Sequence, residues 1–66
     1  MKKKELKNLA KKIADCEYTI QTSSDEDKKI SAKNDIFKLT NSIHSFEDLD
    51  LLDEMVQEYL TKKFAE

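Results

Sequence analysis

The chain reads as an all-α protein, a small antiparallel three-helix bundle running up, down and up. Three observations predict this. The 66 residues include no glycine and no proline. Apolar residues recur at helical spacing in three segments, and two short serine-containing breaks separate those segments. Tight hairpin turns and phosphate-cradling loops lean on glycine for positive φ, so its absence argues against a β-rich fold and against a Gly-rich nucleotide loop.

The first segment carries Leu6, Leu9, Ile13, Cys16 and Ile20, a 3-4-3-4 stepping that forms a heptad seam. Ala10 and the methylene stem of Glu17 widen it, and the spacing predicts a helix over 3–21. Thr22-Ser23-Ser24-Asp25 then breaks the pattern. Ser23 with Glu26, or equally Ser24 with Asp27, fits the capping box that opens a second helix over 24–43. Its stripe is Ala32, Ile36, Leu39 and Ile43. Thr40 and His44 extend that arc to about half the circumference, more than one neighbouring helix covers. The third helix, over 46–64, follows Ser45, with Glu47 and Asp48 in the first turn where the helix dipole favours acid. Leu49, Leu52, Val56, Tyr59, Leu60 and Phe64 continue at helical spacing, and Lys62 and Lys63 suit the last turn.

Similar helix lengths and short links predict antiparallel neighbours in one domain, 1–66. The competing arrangement is a helical hairpin that dimerises into a four-helix bundle. In size and helical pattern the chain resembles small dimeric helical-hairpin regulators that bind plasmid RNA. That resemblance is architectural and transfers no function. A chain this short buries little of its surface, and such domains usually add disulfides, a metal or a second subunit. One cysteine forbids an internal disulfide, and one histidine makes no zinc set. Self-association, or very good helix packing, is therefore expected.

Residues 1–15 carry six lysines against Glu5 and Asp15, whereas residues 44–58 carry six carboxylates and no base. In an up-down-up bundle the first and third helices run parallel, so these starts lie side by side and neutralise each other. Nucleic acid is not an expected partner: the net charge is −2, arginine is absent and no aromatic residue sits among the first lysines. Apolar runs are too short to span a membrane. The lysine-rich start precedes no apolar core of signal-peptide length, so a cytoplasmic protein with a reduced thiol is expected.

No catalytic constellation, cofactor motif or metal-ligand set stands out, and a non-enzymatic role is expected. Cys16 falls on the seam and reads as a buried, inert thiol. His44 reads as a helix-end residue. Glu47, Asp50, Asp53, Glu54 and Glu58 read as a solvated acidic face. Four apolar residues lie off the stripes: Tyr18, Ile30, Phe37 and Leu51. Ile30 and Phe37 are seven apart on one helical line, which suggests either a contact with a partner or a wide core that takes them in. The four are the candidate partner-binding residues.

The expected function is a non-catalytic interaction module that binds another protein or itself, in the manner of small phage- or mobile-element-encoded regulators and inhibitors. Two other classes compete. One is an oligomer that sequesters an anionic small molecule or nucleotide near the first lysines. The other is a small dimeric RNA- or DNA-binding regulator.

Overall fold

The computed structural model describes residues 2–65. Three helices follow in chain order, α1 (Lys3–Thr22), α2 (Glu26–Thr40) and α3 (Phe46–Ala65), with no strand among the described residues. The three-helix arrangement is the expected one. The first and third helices match their expected bounds within one residue, and α2 is shorter at both ends.

Local chemistry explains the shorter α2. Its N-cap is Asp25, whose carboxylate accepts from the backbone N–H groups of Asp27 (3.0 Å) and Lys28 (3.4 Å). Neither serine of the expected capping box takes this place. Ser23 instead closes α1, donating its N–H to the Thr19 carbonyl, while its hydroxyl accepts from Asp25. An aspartate caps as well as a serine and adds a negative charge at the positive end of the helix dipole. At the other end the Thr40 hydroxyl donates to the Ile36 carbonyl and the Ser42 hydroxyl to the Leu39 carbonyl. Asn41 and Ile43 give their N–H groups to the carbonyls of Phe37 and Thr40. The bonds to Phe37, Leu39 and Thr40 satisfy carbonyls that the last turn of a helix leaves without a partner inside it. Ile43 is buried as expected, but from the link and not from the helix.

α1 is the central element. Lys11 lies over Tyr59, Asp15 pairs with Lys63 and Tyr18 meets Phe64, so α1 and α3 climb in the same direction. α2 descends: Lys12 faces Asp35, Lys38 and Leu39, while Thr19 faces Lys28 and Ser31. The lysine-rich start of α1 and the acidic start of α3 thus lie at one end of the molecule.

The core is thin. Leu6, Ala10, Ile13 and Ala14 from α1 meet Leu52, Val56 and Leu60 from α3, with Ile43 beneath them. Ala10 and Ala14 are fully buried. Small side chains four apart give one face of α1 little bulk and let α3 approach closely. On α2 Ala32 is buried, while Ile36 and Leu39 are only half-buried.

The bundle does not close. Among the described residues no Cα of α2 comes within 8 Å of one on α3. The Cα envelope measures 34 × 26 × 15 Å. Three helices packed as a triangle at interaxial distances of 8–10 Å span about 14 Å in both cross-directions. The thickness fits that figure and the width does not, so α2 and α3 splay to either side of α1. The accessible surface is 5011 Å², against about 4,300 Å² expected for a folded chain of 7.7 kDa. About 700 Å² is therefore exposed beyond what a chain of this mass usually leaves open.

Candidate functional site

The splay opens a groove of about 360 Å³ between α2 and α3. Ile13 and Glu17 of α1 form its floor, Ile36 and Thr40 one wall, and Leu49, Asp50, Leu52, Asp53 and Val56 the other. Helical periodicity places them there. Leu49, Leu52, Asp53 and Val56 stand at i, i+3, i+4 and i+7, and each of the other pairs is four apart, so each set shares a helix face. The wide apolar arc of α2 noted in the sequence opens on this groove, since α1 covers only part of it. Leu49 also borders a cleft formed by Ile43, His44, Ser45 and Phe46, so apolar surface continues to the end of the molecule.

The groove is electrostatically one-sided. Glu17, Asp50 and Asp53 line it and no lysine does, although the chain has 12. Among the described residues no cation forms an ion pair with any of these three carboxylates. Glu17 is half-buried, its stem on the apolar floor. Asp50 and Asp53, read from the sequence as part of a solvated face, are exposed on the rim.

The structure separates the four candidate contact residues. Ile30 and Phe37 are 55% and 68% exposed, so the wide-core alternative does not hold. They lie on one outer line of α2, with Lys33 between them at helical spacing. Leu51 is exposed on α3, about 100° around the helix from buried Leu52. Tyr18 lies at the far end of α1 and packs on Phe64, with the Lys63 ammonium 5.5 Å from its ring centroid. Sequence reasoning missed Phe46, at 88% the most exposed large apolar residue among those described. Its position three residues before Leu49, in the first turn of α3, carried the signal.

Cys16 departs from its expected burial and is half-exposed on the α2 side of α1, among Asp15, Asp35, Lys38 and Leu39. Desolvation, then the charges of Asp35 and Asp15, push its thiol above the ordinary range. That disfavours the thiolate, the reactive form. His44 lies in the link between α2 and α3, exposed and lining a different cleft from Cys16. Among the described residues no three His, Cys, Asp or Glu side chains are grouped to hold a metal ion, and no helix is long and apolar enough to cross a membrane.

Fold and groove together define a class: a small helical domain whose central helix supports two others that leave an acid-edged apolar trough between them. No family model matches the chain, and no match is found among curated proteins or solved structures.

Proposed function

We infer that this chain is a non-catalytic interaction module, a small regulator or inhibitor that acts by seating another protein, or a second copy of itself, on its open apolar surface. The supporting observation is the imbalance between core and surface. Among the described residues seven large apolar side chains are exposed, while nine apolar residues are buried and three of those are alanines. Scattered exposed leucines need no explanation, but an apolar groove continuous with Phe46 is the kind of surface that marks an interaction site.

The test is a triple variant, Ile30→Ser, Phe37→Ser and Phe46→Ser, chosen because all three side chains are exposed and carry little of the fold. It is expected to keep its helical circular dichroism and to lose association with itself or a partner. A variant that keeps its fold, its mass in solution and its binding overturns the reading.

A second reading has one observation in its favour. Lys11, Lys62 and Lys63 gather with Tyr59 and Asp15 around a cleft of about 260 Å³, where an anion would find three ammonium groups. Asp15 already pairs with Lys63 and Tyr59 lies under Lys11, which weakens that case. Thermal-shift screening with nucleotides discriminates it, since a ligand at 100 times its Kd adds about 2.7 kcal/mol of stability.

A further inference from the structure

The geometry points to a second copy of this chain as the occupant of the groove, with the outer face of its α2 seated between α2 and α3. This rests on the interaction-module reading and names the partner.

Two features of the chain are unfilled, and they match. One is the groove, apolar and edged by Glu17, Asp50 and Asp53 without a cation. The other is the outer line of α2, where Ile30, Lys33 and Phe37 present an apolar–cationic–apolar face. An apolar helix face with a lysine in its middle is what such a groove accepts. A neutral or acidic helix would desolvate three carboxylates without compensation.

Because α2 is itself one wall of the groove, a two-fold axis beside it places each α2 in the other copy's groove. The same patch then serves both copies, as a closed dimer requires.

Sedimentation equilibrium of the whole chain tests this. The native protein is expected at twice 7.7 kDa at micromolar concentrations. Lys33→Glu alone, and Asp50→Lys with Asp53→Lys, are each expected to weaken the dimer at least tenfold. Combining all three is expected to restore affinity to within about threefold of native, because the charges are exchanged. All three positions are exposed, and circular dichroism verifies each fold. A dimer that ignores the reversals, or that the exchange does not restore, uses another surface and overturns the proposal. A monomer at 0.5 mM, on the order of the weakest useful self-affinity, also overturns it. In that case a 16-residue leucine–lysine amphipathic peptide separates the two readings. If it binds and its NMR shifts map to Ile36, Leu49 and Val56, the module reading stands without the dimer. If it does not bind, both fall.

Discussion

Tyr18 and Phe64 meet with ring centroids 5.2 Å apart and planes inclined at 46°, joining the last turns of α1 and α3. Tilted aromatic pairs at this separation contribute about 0.5–1.5 kcal/mol beyond the area they bury. A residue that looked free in the sequence is thus a clasp between two parallel helices. Lys63 reinforces it, reaching both the Tyr18 ring and the Asp15 carboxylate.

Removing the clasp gives a first prediction. Phe64→Ala and Tyr18→Ala are each expected to destabilise by about 1 kcal/mol in urea denaturation, with a coupling of at least about 0.5 kcal/mol in the double-mutant cycle. Additive effects of the two changes contradict a direct ring contact. Lys63→Met, by contrast, removes a pair on exposed side chains and is expected to cost under about 1 kcal/mol.

The close approach of α1 and α3 depends on Ala10 and Ala14 having no bulk. Ala14→Leu inserts three carbons where no side-chain surface is accessible, and is expected to cost about 1–3 kcal/mol or more by overpacking. Leu6→Ala is expected to cost about 2–5 kcal/mol, as a large-to-small change at a fully buried site. Chemical denaturation checks both. An Ala14→Leu chain as stable as the native protein means the two helices stand further apart than described.

The capping assignment is equally checkable. Asp25→Ala is expected to lower stability by about 1 kcal/mol, and Ser24→Ala to leave it nearly unchanged. The reverse ranking in thermal denaturation returns the cap to the serine pair.

Cys16 carries a prediction in pH. Its folded pKa lies above the unfolded one, so the folded state prefers the neutral thiol. The related stability is fully present below the unfolded thiol value and declines as pH rises through the folded one, an alkaline effect. Below that range, at pH 8, the folded chain is expected to react more slowly with a disulfide reagent than the chain in urea. Equal rates after correction for the denaturant contradict the desolvated position on α1.

The helices were legible because apolar spacing reports a helix whatever it packs against. Leu6, Leu9, Ile13, Cys16 and Ile20 mark α1 without reference to a partner, and Leu49, Leu52 and Val56 mark α3. The end of α2 was less legible. Ile43 kept the helical phase, yet the Ser42 hydroxyl took the Leu39 carbonyl and the Ile43 N–H took that of Thr40, which leaves Ile43 in the link. The candidate site was legible in half. The Ile30–Phe37 line follows from periodicity, while the groove unites residues of three helices that share no spacing.

The sequence by itself determined three amphipathic helices, their order, and a chain too small to bury all its apolar surface. Those are consequences of period, composition and length. Only the tertiary structure decided that α1 stands between α2 and α3, with α3 packed close on the side of Ala10 and Ala14 and α2 packed through its buried Ala32 on the other. Packing about one central helix left the other two apart. That separation turned ordinary stripe residues, a seam-edge Glu17 and two carboxylates of a solvated face into a groove.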